Sequence, residues 1–437
     1  MARAILFSLT KMLIGIKLLY NKLISKDKGE LLFLSTRYSV PFIGIFCNFF
    51  VLKYISPSEL GVIHTMMLIP TYFGFIHFGV FNGLSRNYAI FQAQRRKNKV
   101  QRVVDASWLV GKIISIIGGT VGVVIIIYFV LLDKSSIFIW STMVVLAMLT
   151  FTPLQEINLR IFLSNQSFHR LGILMTIHNV IIFILGILPM FLGVIGLIIR
   201  RALDPVIKFF LLLYKTPTRP KAQGEWKEII ELGKVGMPML ITGVIYSYLT
   251  IADRSLIAFS LGTTAVGNFA LAGIVTMIIN FLPSSLGMLL YPKAATAYGQ
   301  MKSSKALRRY FWIGLTLNVA LILPFCFLIY FGISPIVETF FPEYIKGIEA
   351  AKISAIGSIF FVFMGIEYII PIVRRNFLYQ IAIGFCLGLT WILGLLFINS
   401  GFGIEGVAWA RLIGNAILCI FTLFYAYYLT TADIWEE

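Results

Sequence analysis

The sequence predicts an all-α polytopic membrane protein, in which twelve transmembrane helices form two pseudo-symmetric six-helix lobes around a central cavity. Three observations carry this prediction: the composition, the length of the apolar stretches and an internal repeat. Hydrophobic residues make up 59% of the 437 residues and charged residues only 13%, with a mean hydropathy of +0.89. A water-soluble surface needs roughly a quarter charged residues or more, so this composition excludes a soluble globular protein.

The apolar stretches are about 20 residues long or more, which lets a helix cross roughly 30 Å of hydrocarbon. A long alternating apolar pattern is absent from the sequence, so helices rather than a β-barrel are expected to satisfy the backbone. The twelve predicted spans cover residues 31–53, 60–84, 108–132, 136–157, 171–192, 194–214, 235–258, 264–289, 311–333, 350–373, 377–398 and 404–429.

Lysine and arginine are concentrated in alternate loops, although the net charge is +18 over the whole chain. They fill residues 1–30, 86–102, 215–234 and 293–309, whereas the loops between these are short and poor in cations. By the positive-inside rule, both termini and the basic loops are expected in the cytoplasm. Membrane topology thus accounts for the charge, and no nucleic-acid partner is expected.

The first 30 residues are predicted to form a basic amphipathic helix at the membrane interface. Lysines interrupt the apolar stretch of this segment, so it is not expected to be a cleavable signal. At 100° per residue, Ile5, Leu9 and Ile16 share one side of a helix, while Arg3 and Lys22 lie on the other. This arrangement is typical of a helix that lies in the headgroup region.

Cut near residue 215, the chain reads as two copies of one six-span pattern. The shift that places Gly61 on Gly267 also aligns the turns before them, residues 56–61 and 262–267. Superposing a glycine of each last span makes Arg201 and Arg411 coincide. Six spans is an even number, so an axis along the membrane normal relates the copies and a cavity is expected between them.

This repeat divides the chain into four predicted parts. They are the interfacial helix 1–30, the first lobe 31–214, a cytoplasmic linker 215–234 and the second lobe 235–437. Two prolines and a run of charged residues mark the linker.

Several charged residues lie inside predicted spans, where an ion costs at least a few kcal/mol and is expected to face a cavity or a partner. The candidate anion-binding residues are Arg37, Arg200, Arg201, Arg254 and Arg411. The candidates for ion coupling or gating are Asp204, Asp253 and Glu367. A guanidinium group suits phosphate because its planar fork donates two parallel hydrogen bonds and stays charged when desolvated.

Structural pairing is the alternative for part of this set. Arg200 and Asp204 are four residues apart on one helical face, and Asp253 is adjacent to Arg254, so each pair is equally open to mutual neutralisation. In that case, Arg37, Arg201 and Arg411 are left without a neighbour of opposite charge at helical spacing, so they are expected to face the lumen and bind an anion. Glu367 either carries a coupling proton or bonds one of the two arginines at 374 and 375.

Neither a catalytic constellation nor a metal site is present in the sequence, and no cofactor is expected. Walker A, GxSxG and HExxH motifs are absent. The four cysteines lie within predicted spans without a CxxC pair, so they are expected to pack as small apolar residues. His64 and His77 are too far apart along a helix to share a metal. An enzyme is therefore not expected.

Several short motifs resemble those of a known family. They are Gly236-Met237-Pro238, Ala252-Asp253-Arg254 with Leu261-Gly262, and Pro57-Ser58-Glu59-Leu60-Gly61 with Gly79 and Arg86; residues 401–408 resemble the start of a last span. On these residues the chain resembles the O-antigen and polysaccharide flippase (Wzx-like) branch of the multidrug/oligosaccharidyl-lipid/polysaccharide (MOP) exporter superfamily, whose fold is also that of the multidrug (MATE) transporters.

This resemblance implies a flippase that moves an undecaprenyl-pyrophosphate-linked oligosaccharide, such as an O-antigen repeat unit, from the cytoplasmic to the outer leaflet of the bacterial inner membrane. Alternating access of the two lobes would carry the cargo. The pyrophosphate would lie at the arginines, the sugars in the lumen and the prenyl tail in lipid through a lateral opening. Glycan polymerase or ligase machinery is a further implied partner.

Three rival interpretations stay open. An ion-coupled multidrug exporter of the same superfamily typically relies on carboxylates in the first lobe, whereas the first span here carries Arg37 and no acid. A major-facilitator sugar symporter has two six-span halves, but its Gly-x-x-x-Asp-Arg loop is not found at the expected place. A non-transporting membrane subunit of glycan assembly gains nothing from unpaired buried arginines.

Overall fold

The computed structural model describes residues 28–221, 224–301 and 303–432, and in these ranges the regular structure is helical. The interfacial helix predicted for residues 1–30 lies outside the described residues, apart from residues 28–30, which belong to the first described helix. All-α architecture, as predicted, follows from the apolar stretches, because each helix satisfies its own backbone hydrogen bonds in lipid.

The first lobe consists of eight helices within residues 28–214. They are α1 (Lys28–Tyr54), α2 (Pro57–Met66), α3 (Leu68–Phe73), α4 (Val80–Ala93), α5 (Lys97–Leu131), α6 (Ser136–Ser164), α7 (Phe168–Leu185) and α8 (Leu188–Tyr214).

The second lobe follows within residues 226–431 and includes three short 3-10 segments. Its α-helices are α9 (Trp226–Ser260), α10 (Thr263–Asn268), α11 (Ala270–Met301), α12 (Arg308–Phe340), α13 (Ile348–Gly357), α14 (Ile369–Ile372), α15 (Asn376–Asn399) and α16 (Gly403–Thr431). The 3-10 segments are Ser304–Leu307, Pro342–Gly347 and Ser358–Gly365.

Every predicted span coincides with one helix or with a run of consecutive helices. Within the described residues, eight helical segments are long and apolar enough to cross a membrane, and a ninth qualifies if the two halves of α9, bent by 41°, count as one span. The other three predicted spans are less regular: α1 carries Arg37, the second is divided into α2, α3 and α4, and α8 carries four charged residues. The predicted number of twelve is compatible with this count but not confirmed by it.

One interruption differs from the predicted span limits, and a second falls where the limits predict it. The fifth span was expected to run to residue 192, but α7 ends at Leu185 and α8 already begins at Leu188. The break between the two spans is a kink inside α8 at Gly193, whose backbone has a φ of +53°. Glycine lacks the Cβ that makes this region unfavourable for other residues.

The turn before α2 is built by its own sequence. The Ser56 backbone N–H donates to the Glu59 carboxylate at 3.1 Å, and the Glu59 N–H donates to the Ser56 hydroxyl at 3.4 Å. This reciprocal capping box, with Pro57 in the first turn, fixes the start of the helix. Gly61 is thereby held one turn into α2.

The repeated glycines form the closest approach between the two lobes. A Cβ on Gly61 would lie 1.8 Å from the Thr263 carbonyl oxygen, and a Cβ on Gly267 would lie 1.7 Å from the Pro57 carbonyl oxygen. Pro57 and Thr263 are themselves equivalent in the repeat, so α2 and α10 meet through the same surface on each side. Small residues allow this contact, which dispersion rather than water exclusion must stabilise in lipid.

A second contact joins the lobes at the other end of the divided second span. A Cβ on Gly236 of α9 would lie 1.9 Å from the Gly79 carbonyl oxygen, and one on Gly83 of α4 would lie 2.2 Å from the Leu232 carbonyl oxygen. The lobes therefore touch at both ends of residues 57–93, and a cavity lined by residues of both lobes lies between these two contacts.

The connection between α8 and α9 is bound to the first lobe. The Tyr88 and Thr218 hydroxyls are 2.8 Å apart, and the Lys221 backbone N–H donates to the buried Asp105 carboxylate at 2.5 Å. The Gln101 amide donates to the same carboxylate and to the Arg219 carbonyl oxygen, each at 2.9 Å. The start of α9 is thus tied to α4 and α5.

Candidate functional site

A cavity of about 490 Å³ lies within the first lobe and carries most of the intramembrane charge; it is called the cationic cavity here. Helices α1, α6, α7 and α8 surround it, and Met277 of α11 contributes from the second lobe. Its charged and titratable lining consists of Arg37, His178, Arg200, Arg201, Asp204 and Lys208.

Helix α8 supplies four of these side chains. Arg200, Asp204 and Lys208 follow at spacings of four residues, which places them along one face of a helix, and Arg201 stands beside them. The kink at Gly193 separates this face from the start of the helix. The sequence-predicted cluster of charges is therefore presented to one cavity.

Two guanidinium groups in this cavity lack an anionic partner. Arg200 is only 8% exposed, and its Nη1 makes no hydrogen bond. The Nε of Arg201 is buried and also unpaired. No carboxylate of the described residues lies within 4.0 Å of either group. Because a buried, unpaired charge is costly, both guanidinium groups carry a desolvation penalty that a bound anion would offset.

The acid expected to neutralise Arg200 bonds a histidine instead. The Asp204 carboxylate lies 2.8 Å from Nε2 of His178 on α7. Next to it, the Asn179 amide donates to the Thr36 carbonyl oxygen at 2.9 Å, which ties α7 to α1. The alternative of an Arg200–Asp204 pair is therefore not what the structure contains, and both arginines stay available.

Arg37 stands where the cationic cavity meets the other lobe. Its side chain is exposed and lies 5.7 Å from the Phe33 ring centroid. It also lines a neighbouring cavity of about 300 Å³, bounded on the opposite side by Phe281 and Ser284 of α11. Arg37 thus faces both the interior of the first lobe and the space between α1 and α11.

Arg254 approaches from the second lobe. Its guanidinium packs on Gly273, where a Cβ would come within 2.4 Å of Nη2, so the glycine makes room for it. Arg254 is within electrostatic range of Arg201 and of His64, which brings cations of both lobes near one another. The Asp253 carboxylate accepts the Arg254 backbone N–H at 2.7 Å, and no ion pair joins the two side chains.

The structure does not bring Arg411 to the cationic cavity. Its guanidinium donates a hydrogen bond to the Leu249 carbonyl oxygen of α9, within the second lobe. The repeat aligns Arg201 with Arg411 in sequence, but the two side chains have different surroundings. Three of the five predicted anion-binding arginines therefore line the cationic cavity, a fourth lies within electrostatic range of Arg201 from the second lobe, and Arg411 does not reach the cavity.

Glu367 lies in a separate cavity of about 740 Å³ in the second lobe. It accepts a hydrogen bond from the Tyr379 hydroxyl. Three further tyrosines line this space, which is called the tyrosine cavity here: Tyr246, Tyr291 and Tyr368.

A third charged cavity, of about 440 Å³, lies between α4, α6 and α9, and it was not predicted from the sequence. Arg160 bonds the Glu156 carboxylate at 2.8 Å and donates to the Asn82 amide oxygen at 2.7 Å. In the sequence, this cavity is indicated only by Glu156 and Arg160, an oppositely charged pair four residues apart at the end of the fourth predicted span. Such a pair is equally typical of an ordinary helix surface.

Comparisons with known proteins show the fold and the family of this chain. Solved structures with this fold include an inward-facing multidrug resistance MATE family transporter of the MOP superfamily, with a TM-score of 0.71 and 16% identity over 92% of this chain and 98% of that one. The lipid II flippase MurJ in an inward closed conformation has a TM-score of 0.67 and 17% identity over 90% and 87%. A MOP superfamily transporter from Pyrococcus furiosus has a TM-score of 0.64 and 15% identity over 92% of this chain and 94% of that one. At these identities, the likeness shows the fold.

The chain belongs to the polysaccharide biosynthesis protein family, whose model matches residues 52–348. No curated protein matches the sequence. The family match and the shared fold agree with the resemblance drawn from the sequence, and the long apolar helices are those of a multi-pass membrane protein.

Proposed function

We propose that this protein is a flippase that moves an undecaprenyl-pyrophosphate-linked oligosaccharide from the cytoplasmic to the outer leaflet of the bacterial inner membrane. One observation carries the proposal: Arg200 and Arg201, buried without a carboxylate partner, line a cavity in a protein of the polysaccharide biosynthesis family. The polysaccharide family favours a glycan cargo, and the unpaired guanidinium groups favour an anionic handle on it.

Pyrophosphate matches this cavity chemically. Each guanidinium presents a planar fork of donors and remains charged when water is excluded, so two adjacent forks suit a dianionic headgroup. Lys208 adds a third cation on the same helical face. The desolvation penalty that these groups carry in the empty cavity falls when the anion binds, which adds to the affinity.

The position of Arg37 supports a lateral route for the lipid tail. It lines both the cationic cavity and the space between α1 and α11. A headgroup held by Arg200 and Arg201 would pass Arg37 on the way to that space, and the prenyl chain would remain in the bilayer beyond it.

Two structural neighbours support this function by their own descriptions. One is a lipid II flippase. The Pyrococcus furiosus transporter is described as having a binding pocket of reverse polarity that suggests a different function within the superfamily. A cationic pocket in this chain agrees with both, whereas an exporter of organic cations is better served by carboxylates.

The membrane potential would favour outward movement. From the basic loops we expect both termini in the cytoplasm. Two negative charges that leave a cell interior held at −100 mV gain about 4.6 kcal/mol, at about 2.3 kcal/mol per charge. Asp204, Asp253 and Glu367 are the carboxylates proposed for ion coupling or gating, and Arg254 completes the proposed cationic set. Glycan polymerase or ligase machinery would take up the flipped product.

The test is transport by purified protein in proteoliposomes. A fluorescent undecaprenyl-pyrophosphate-linked sugar would be placed in both leaflets, and loss of its signal to a membrane-impermeant quencher would report flipping. The wild-type protein is expected to accelerate exchange, and Arg200→Ala and Arg201→Ala to abolish most of this gain. Arg170→Ala, an exposed arginine on α7, serves as the matched control.

Unimpaired flipping by both arginine variants would overturn the assignment of these side chains. Export of an organic cation such as ethidium, with no movement of the lipid, would instead identify a multidrug exporter.

A further inference from the structure

The tyrosine cavity has a composition unlike that of the cationic cavity. Four tyrosines line its volume of about 740 Å³, with Glu367 as the carboxylate among its lining residues. This volume falls within the roughly 300–1,000 Å³ range of small-molecule sites. Tyrosine offers a flat apolar ring together with a hydroxyl that donates and accepts hydrogen bonds.

The cavity lies against a broken membrane helix. The 3-10 segment Ser358–Gly365 gives way to Ile366, with a φ of −133°, before α14 begins at Ile369. Gly365 packs on Asn318 of α12 so closely that a Cβ would lie 1.5 Å from the amide nitrogen, and this contact holds the break in place. Irregular backbone at membrane depth is tolerated where it lines a cavity, and discontinuous helices often form transporter binding sites.

Glu367 projects from this break with acceptor capacity left over. It accepts the Tyr379 hydroxyl, but a carboxylate has about four lone-pair sites. Asn376 adds an amide group to the same cavity. The Tyr368 hydroxyl donates to the Tyr310 carbonyl oxygen at 3.2 Å, which fixes that ring at the wall. The site therefore combines rigid aromatic faces with neutral hydrogen-bonding groups.

The charge balance favours a neutral ligand over a cation. Tyr246 lies within electrostatic range of both the Glu367 carboxylate and the Arg411 guanidinium, so a cation bound beside this ring would meet a positive as well as a negative group. Sugars present apolar C–H faces that stack on aromatic rings and hydroxyls that pair with carboxylates and amides. An organic cation would use the carboxylate but leave the Asn376 amide unmatched.

The cavity also adjoins the proposed path of the cargo. Ser284 lines both the tyrosine cavity and the space beside Arg37, and Arg37 in turn lines the cationic cavity. A ligand with an anionic end and a sugar end can therefore extend from one lobe to the other.

We propose that the tyrosine cavity is the subsite for a neutral sugar of the lipid-linked cargo, recognised by tyrosine rings and by the Glu367 carboxylate. This inference rests on the proposed flippase function. It assigns the pyrophosphate headgroup and the sugar of the cargo to different lobes.

The experiment measures binding of three probes to the full chain in nanodiscs by native mass spectrometry. The probes are undecaprenyl pyrophosphate, the same lipid carrying one N-acetylglucosamine, and tetraphenylphosphonium. Tyr291→Leu is the main variant, because Tyr291 is 47% exposed and its loss opens no packed core. Tyr128→Leu on α5, where the tyrosine is 56% exposed outside these cavities, is the matched control.

Wild-type protein is expected to bind the sugar-bearing lipid more tightly than the bare lipid. Tyr291→Leu should weaken binding of the sugar-bearing lipid about fivefold, as expected for loss of one aromatic contact, and leave the bare lipid unaffected. The control should match wild type for both.

Equal affinity of wild type for the two lipids would overturn the sugar subsite while leaving the flippase proposal intact. Tetraphenylphosphonium binding that disappears in Glu367→Gln would assign the cavity to organic cations and likewise overturn it. Failure of wild type to bind either lipid would instead remove the flippase function on which the subsite depends.

Discussion

At the scale of single residues, the arginines fall into two groups: those bonded to other groups of the protein and those with unpaired nitrogen atoms. Arg411 is engaged by the Leu249 carbonyl oxygen and Arg160 by Glu156 and Asn82, whereas Arg200 and Arg201 keep unpaired nitrogen atoms in a buried place. A cation in the first situation contributes to the fold, and removing it leaves a partner unsatisfied. A cation in the second situation weakens the empty fold, and the proposed anionic ligand would offset this cost.

This difference predicts opposite effects on stability. Arg201→Ala removes an unpaired buried charge, so the thermal midpoint of the ligand-free protein should stay the same or rise. Binding of undecaprenyl pyrophosphate should weaken by about 1.5–3 kcal/mol, the usual value of a hydrogen bond to a charged group. Thermal unfolding in detergent, with and without the lipid, measures both. A lower midpoint without lipid would mean that Arg201 has a structural partner.

Arg411→Ala is expected to behave differently. It leaves the Leu249 carbonyl without its side-chain donor and should destabilise the protein by about 1–3 kcal/mol. The same thermal measurement checks this, with Cys326→Ala on α12 as a control for small buried changes. If Arg411→Ala were as stable as wild type, the bond to Leu249 would not be what retains this arginine.

At the scale of elements, glycine determines how the lobes meet. Gly61 and Gly267 bring α2 and α10 into backbone contact at one end, and Gly79, Gly83 and Gly236 do the same for α4 and α9 at the other. The repeat identified the first pair in the sequence because the two glycines are equivalent. The second contact has no such signature, since α4 and α9 are not equivalent elements, and only the structure reveals it.

Gly61→Ala and Gly267→Ala should therefore force the lobes apart at that end. Each added methyl group meets a backbone carbonyl that cannot rotate away, and overpacking of this kind costs about 1–3 kcal/mol. Reduced flipping by protein that still inserts in the membrane is the expected result. Gly388→Ala, where a Cβ meets no atom within 4 Å, is the matched control. Normal transport by both variants would show that this contact is not needed in the transport cycle.

The connection before α9 gives a second test at this scale. Asp105→Ala removes the acceptor for the Lys221 backbone N–H and for Gln101, so the segment should open more often. Trypsin cleavage after Lys221 is expected to become about tenfold faster, in line with about 1–3 kcal/mol for lost buried hydrogen bonds. Glu338→Ala, an exposed acid on α12, controls for charge. An unchanged cleavage rate would show that other contacts hold the connection.

At the scale of the whole molecule, the sequence predicted the fold better than the pairings inside it. Apolar length, alternating basic loops and the glycine repeat are local or periodic signals, and they led to the two-lobe membrane fold and to the charge cluster on α8. The bond between His178 and Asp204 and the one between Arg160 and Asn82 join different helices. Spacing along one helix cannot reveal such partners, so Arg200 was equally well explained by Asp204, and the Arg160 cavity was missed.

The most direct measurement is a cryo-electron microscopy structure of the protein with undecaprenyl pyrophosphate. The account predicts phosphate density within hydrogen-bonding distance of the Arg200 and Arg201 guanidinium groups, with the prenyl chain leaving between α1 and α11. Density for the headgroup elsewhere, or both arginines paired with carboxylates in an otherwise empty cavity, would contradict it.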